Sequence, residues 1–501
     1  MTVAYSSVFV YSNIVSEPGM GSGRYAVNGL LFVKKANCLA SALIFHNFVA
    51  LLTEYDMENM DFGKDPIPSL FRKMLIPTLL GMVFSAAFVI TDGIFVGRGI
   101  GSNALAAINV AAPYTFLSIA VGLMFGIGGS VVSSIRLSQK DVKVANIVMT
   151  QAFAVSSVIL VGVIAVYFLF RPLIINALGA SSELYPLVRE YLDYAVPFLL
   201  PYTIMSVGMF FSRLDGAPRF TMWCMAIATL LNILFDYLFI FVFNGGLMGA
   251  ALATGTGETV GGVMLVVYLS RYSKTLRPVK LKFTEKGKQF MRRNVWYMSK
   301  LGFSGFLNEM AVACMMLVGN YVFNSYLGTD GVAAFSIVCY LTPIIFMIYN
   351  SIIQSAQPII SFNYGAGNTS RTYKATRCAL ISAIAVGCLL FVGALGFRGV
   401  VISWFTSPGT DVYDIAVRGI RLFAIGFVPW GINIIAIGYS QSVEKAGYAT
   451  LYTLLRGAIW MIACFLLLPL WLGEAGIWLA IPASELLTVL TVLVTWRKIR
   501  V

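Results

Sequence analysis

This chain predicts an all-α integral membrane protein of twelve transmembrane helices, built as two matched lobes of six, on three observations. Hydrophobic residues fill 58% of its 501 positions and charged residues only 11%, which is too apolar for a soluble chain of that length. Apolar stretches of about 20 residues, enough for a helix to cross hydrocarbon, recur from Ser69 onward. The second set of stretches also repeats the first. Residues 101–138, with Leu105-Ala106-Ala107, lie over residues 328–365, with Val332-Ala333-Ala334, at an offset of 332 − 105 = 227. Glu258 falls on Glu485 at the same spacing, 485 − 258 = 227, and Pro201 meets Pro429 one residue out of register. Parallel repeats of this kind place a substrate site between the two halves.

In order, the spans are 69–91, 105–128, 147–169, 191–211, 221–243 and 247–269 in the first half, then 298–323, 333–356, 376–397, 415–438, 449–470 and 476–496. The first lobe occupies 61–270, a cytoplasmic linker 271–297 and the second lobe 298–501. The charged stretch from Pro278 to Asn294 is too polar to enter a bilayer, which is why it reads as a linker. Residues 1–60 match nothing in the second half and have neither the basic start nor the small-residue cleavage site of a signal peptide. They read either as upstream sequence outside the working protein, which would then begin at Met57 or Met60, or as a disordered or interfacial N-terminal extension.

The formal charge of +13 does not point to nucleic acid, because the basic residues gather in alternate loops rather than on one face. Arg136, Lys140 and Lys143 follow the second span, Arg213 and Arg219 the fourth, and Arg371, Lys374 and Arg377 the eighth. A run from Arg271 to Arg293 follows the sixth. By the positive-inside rule these loops and both ends of the bundle face the cytoplasm, in a multi-pass protein of the cell membrane. The opposite loops are short or acidic, with Glu183, Glu190, Asp193, Asp330, Asp411 and Asp414. The seven cysteines form no CxxC pair and have no flanking histidine, so neither a disulfide framework nor a zinc site is expected. His46, the only histidine, lies outside the repeat, which excludes a histidine proton relay within the bundle.

Acidic side chains inside spans cost about 2.5–3.5 kcal/mol on insertion scales and therefore need a partner or a task. Asp236 lies deep in the fifth span, with Asn232 one turn earlier on the same face. The pair either offers oxygen ligands to Na+ or a proton, or ties two helices together. Asp92 stands at the end of the first span, where a charge costs little. The repeat places Asn320 on Asp92, and Asp236 near Ala463 and Cys464, so both acids belong to the first lobe alone. That asymmetry points to an ion-driven transporter. Thr254 and Glu258, four apart on the sixth span, share a face: Thr254 can lend a hydroxyl, while Glu258, having a twin in Glu485, serves either the site or a symmetric architecture. Glu309, in the seventh span, either attracts a cationic substrate or sits in a polar patch near the helix start.

The chain resembles the multidrug and toxic compound extrusion (MATE) transporters, in particular their DinF-like branch, from about residue 61 to the C-terminus. The resemblance rests on Asp92-Gly93-Ile94-Phe95-Val96-Gly97, on Arg213-Leu214-Asp215-Gly216-Ala217-Pro218-Arg219, on Asn232 with Asp236, and on Gly249-Ala250-Ala251-Leu252-Ala253-Thr254. It continues in Gln357-Pro358-Ile359-Ile360-Ser361-Phe362-Asn363-Tyr364-Gly365-Ala366-Gly367-Asn368. It implies two six-helix lobes in a V around a central cavity, and export of small organic, cationic substrates in exchange for H+ or Na+, by a monomer with no further cofactor. It also implies a cation site at Asp92, Asn232, Asp236 and Thr254, which are metal ligands if the ion is Na+. The NorM-like branch uses acids of the second lobe; Glu309 lies about one turn ahead of that position and the tenth span holds no acid.

Two rivals are weaker. A lipid-linked oligosaccharide flippase of the same superfamily would want a strongly basic central cavity, whereas spans 105–128 and 333–356 hold no Lys or Arg. A membrane-embedded enzyme would need clustered carboxylates for Mg2+, or a nucleophile with its base, and neither constellation is present.

Overall fold

The computed structural model describes Val49, residues 60–281 and residues 284–500. The chain divides into two compact units, Met1–Met57 and Glu58–Val501. The extension expected over residues 1–60 lies almost wholly outside the described residues, and the second unit holds everything that follows.

Among the described residues eleven helices are long and apolar enough to cross a membrane. One of them, Glu285–Gly365, is interrupted at Gly328 (φ 65°, ψ −155°) and so holds two spans. The twelve are α1 Ile67–Gly99, α2 Ser102–Ser138, α3 Val142–Ala177, α4 Tyr185–Leu214, α5 Pro218–Val242 and α6 Gly246–Tyr272 in the first lobe. The second lobe has α7 (285–327), α8 (329–365), α9 Thr369–Ser403, α10 Asp411–Ser442, α11 Ala446–Leu472 and α12 Glu474–Ile499. Their starts follow local chemistry. Pro218 opens α5, where its missing N–H costs nothing, and Thr284 and Thr410 accept backbone N–H bonds as N-caps of α7 and α10. Large apolar side chains stay exposed along the spans, among them Val158, Leu173, Leu389, Trp471 and Val494, as expected of a surface solvated by lipid.

The duplication extends to backbone detail. Asp141 caps α3 by accepting from Val144 N, and Asn368 caps α9 by accepting from Arg371 N, 227 residues later (368 − 141). Gly246 (φ 55°) and Gly473 (φ 58°) turn the chain at the same offset. The short 3-10 stretches Val196–Phe198 and Ala424–Gly426 break α4 and α10 at an offset of 228 (424 − 196).

Two expectations need correction. Helix α1 runs on to Gly99, so Asp92 lies two turns inside it rather than at its end. Helix α7 begins at Glu285, which places Glu309 well along the helix (309 − 285 = 24 residues) instead of near its start.

The lobes meet at the end of the bundle that carries the basic loops. Gly128 of α2 packs against the Met298 carbonyl of α7, and Gly302 of α7 against the Met124 carbonyl; a Cβ on either glycine would strike the opposing backbone. Polar contacts reinforce this closure. Ser134 Oγ donates to Pro358 O (3.2 Å), Arg213 Nη1 to Gln354 Oε1 (2.6 Å) and Asn294 Nδ2 to Gln151 Oε1 (3.1 Å).

Candidate functional site

Helices α1, α5 and α6 bring the predicted cation ligands together. Thr254 Oγ1 of α6 donates to Asp92 Oδ1 of α1 (3.4 Å) and accepts from Asn232 Nδ2 of α5 (3.3 Å). Asp236 follows Asn232 by one turn, and both side chains are fully buried. Asp236 lies within electrostatic reach of Asp92. Helix α5 passes from α-helical to π-helical geometry directly after Asp236, over Tyr237–Val242, a distortion frequent at functional positions. Close packing of α5 on α6 permits this arrangement, because a Cβ on Gly257 would meet Ala228 O at 2.6 Å.

The decisive feature is what this cluster leaves unsatisfied. Asp236 Oδ1, Asp236 Oδ2 and Asn232 Oδ1 are buried and have no hydrogen-bond partner among the described residues. Buried oxygens left in that state are costly unless something else fills the need. Three acceptors beside a hydroxyl and a second carboxylate suit Na+ or a proton. Among the described residues there is no group of three or more His, Cys, Asp or Glu able to hold a metal, so amide and hydroxyl oxygens would complete any shell.

The secondary acids separate. Glu258 lines a cavity of about 120 Å³ with Thr254, Ser118, Tyr191 and Tyr202, inside the first lobe and next to the candidate cation ligands. It has no ion-pair partner among the described residues. Glu485 is buried and neutralised: Arg456 Nη2 donates to its Oε1 (2.6 Å) and Asn433 Nδ2 to its Oε2 (2.6 Å). Glu309 is half-buried on α7, beside Asn308, which accepts from Arg456, and Tyr202 lies within electrostatic reach of both Glu309 and Glu258. Sequence reasoning passed over Arg456, although a basic residue within an apolar span was a signal in plain view.

The motif-loop residues gather at the basic end and build the closure rather than the candidate cation cluster. Arg213 reaches Gln354 across the lobes. Asp215 accepts from Lys274 N, Thr275 N, Thr275 Oγ1, Leu276 N and Tyr268 OH, pinning the segment after α6. Gly216 (φ 87°) makes the turn that delivers Pro218 to the start of α5. In the second lobe Gln357 donates to Gln441, Pro358 O accepts from Ser134, and Gly365 abuts Ile135 and Ser138. Asn363 Nδ2 donates to Phe62 O (3.0 Å), and Tyr364 lies within electrostatic reach of Glu444. Arg371 Nη2 bonds the carbonyls of Phe62 and Asp65. Just inside this closure a pocket between the lobes is lined by Asn308, Asn350, Gln354, Gln357 and Gln441, all uncharged amides.

The MatE family model matches residues 77–238 and 306–466, once in each lobe. The chain belongs to the MATE family. It is a membrane transporter of two six-helix lobes, not an enzyme. The multidrug export protein MepA of Staphylococcus aureus (strain MSSA476) is 25% identical over 442 residues, covering 87% of this chain and 95% of that one. MepA of Staphylococcus haemolyticus (strain JCSC1435) is 24% identical over 437 residues, 85% and 94% of the two chains. A multidrug resistance MATE family transporter of the MOP superfamily, solved in an outward-facing conformation, superposes with a TM-score of 0.81 at 19% identity, over 87% of this chain and 96% of that one. A MOP superfamily transporter from Pyrococcus furiosus, whose binding pocket is described as reversed in polarity and suggestive of a different function, gives 0.79 at 19% identity, over 87% and 96%. At such identity these likenesses establish the MATE fold.

Proposed function

We propose that this MATE transporter is a secondary active antiporter of the cell membrane, working as a monomer, that exports small organic cations in exchange for H+ or Na+. The carrying observation is the set of orphaned oxygens on Asn232 and Asp236, joined through Thr254 to Asp92. The DinF-like cation site falls on these four residues. The basic loops face the cytoplasm, as do both chain ends, so lobes in contact there describe an outward-facing arrangement open to ions from outside. Cation binding favours one arrangement of the first lobe and substrate binding the other, and the difference in affinity is the coupling. The names of the MepA relatives support export of drugs. The amide-lined interlobe pocket suits an organic cation better than the pyrophosphate of a lipid-linked oligosaccharide.

The test is substrate efflux from proteoliposomes, with and without Na+ at fixed pH. The intact protein moves substrate against a proton or sodium gradient, and the two conditions identify the ion. Asp236→Asn, monodisperse and inserted, abolishes uphill export; normal export by that variant would sink the assignment.

A further inference from the structure

The duplicated acids Glu258 and Glu485 are twins in sequence and opposites in circumstance. In the second lobe the Arg456 guanidinium closes on Glu485 with Nε at 3.0 and 3.2 Å from its two oxygens and Nη2 at 2.6 Å. The pair is almost wholly out of solvent, with side-chain exposures of 8% and 4%. Arg456 Nη1 continues to Asn308 Oδ1 (3.0 Å), and its guanidinium carbon lies over the Trp430 ring, 5.5 Å from the ring centre. Asn433 donates to both the carboxylate and the backbone carbonyl of Glu485, and its own Oδ1 is buried without a partner among the described residues.

The first lobe shows what would stand there without the arginine. Ser484 Oγ donates to Arg456 O where α11 widens into a π-turn over Leu455–Ile459. At the twin position Gly257 (484 − 257 = 227) approaches Ala228 O, so Ala228 is the twin of Arg456 (456 − 228 = 228). Alanine brings no charge, and Glu258 faces its cavity unpaired. A buried arginine on a buried carboxylate is held by charge-assisted bonds whose loss would strand the partner.

We propose that Arg456 is a tethered cation: it fills, in the second lobe, a carboxylate-and-amide site made by Glu485, Asn433 and Asn308, which would otherwise take a mobile monovalent or guanidinium-type cation. The second lobe thus carries its own cation throughout the cycle, and exchangeable cations are confined to the first lobe. The inference deepens the first-lobe reading and rests on it for that last statement.

The experiment gives α11 the residue of its twin. Full-length Arg456→Ala is purified at pH 8, and saturable binding of ²²Na+ and of labelled methylguanidinium is counted per molecule. The expected result is one site more than in the parent, abolished when Glu485→Gln is added and absent in Arg456→Lys, whose ammonium remains tethered. A pair that only braces the fold would give no saturable gain; a folded Arg456→Ala without it, or a gain surviving Glu485→Gln, overturns the proposal. If Arg456→Ala does not fold in choline buffer, recovery by Na+ or methylguanidinium at equal ionic strength supports the proposal, and failure of both overturns it. Asp236→Asn is counted in parallel. Unchanged parental binding there would sink the first-lobe reading, while the Arg456→Ala result would still decide whether the second lobe is pre-filled.

Discussion

Arg213 of the first lobe donates to Gln354 of the second at 2.6 Å, and the guanidinium that does so is buried, with Nε and Nη2 unpartnered among the described residues. This bond helps hold the two lobes together at the basic end. A hydrogen bond to a charged group contributes about 1.5–3 kcal/mol, and about 1.4 kcal/mol is tenfold in an equilibrium. Gln354→Met should therefore shift the population about tenfold or more toward separation of the lobes there. Spin labels at the exposed positions Lys140 and Lys374 should show a longer distance distribution; an unchanged one would remove this bond from the closure.

Gly302 makes the complementary case. An added Cβ would strike the Met124 carbonyl, and backbone cannot yield as a side-chain tip can. Gly302→Ala should cost the closed arrangement about 1–3 kcal/mol and depress transport while leaving each lobe folded. The check pairs efflux rates with thermal unfolding: lost export with an unchanged melting profile is expected.

Thr254 links Asp92 to Asn232 through one hydroxyl. Thr254→Val keeps the shape and removes that oxygen, so half-saturation by the coupling ion should rise about tenfold, equivalent to about 1.4 kcal/mol. Thr254→Ser should stay within about twofold of the parent on the same scale. Initial efflux rates against ion concentration separate the two variants, and equal curves would exclude the hydroxyl as a ligand.

Asp215 gathers five donors from the segment 268–276. Asp215→Asn keeps the size but trades an acceptor oxygen for a donor facing N–H groups, so several bonds are lost, each unsatisfied buried group costing about 1–3 kcal/mol. Limited trypsin digestion should then cut near Arg277 and Lys280 far sooner than in the parent, and equal cleavage rates would contradict the clamp.

What the sequence disclosed follows what the bilayer penalises. Asp236 stood out because a carboxylate in an apolar run needs a reason, and Asp92 because its repeat partner is Asn320. The twelve spans were legible from hydropathy, except that α1 and α7 run beyond their apolar stretches, which polar residues at a helix end do not forbid. The closure was not legible: Gly128 and Gly302 lie far apart in sequence, and their contact depends on how two lobes settle against each other. The motif loops were visible as motifs, yet their work as clasps, Asn363 on the carbonyl of Phe62 above all, involves backbone acceptors that no side-chain pattern announces.

The joint at Gly328 has a wider consequence. At the end away from the basic loops α7 passes into α8 through that one residue, α11 into α12 through Gly473, and α1 into α2 through Ile100 and Gly101. The other connections at that end run from three to seven residues, the longest being 178–184 and 404–410, so little chain is free to fold over the mouth as a flap. Entry from that side must be regulated by the tilting of whole helices, so the rate of opening there will follow the stiffness of the spans and of the lipid around them.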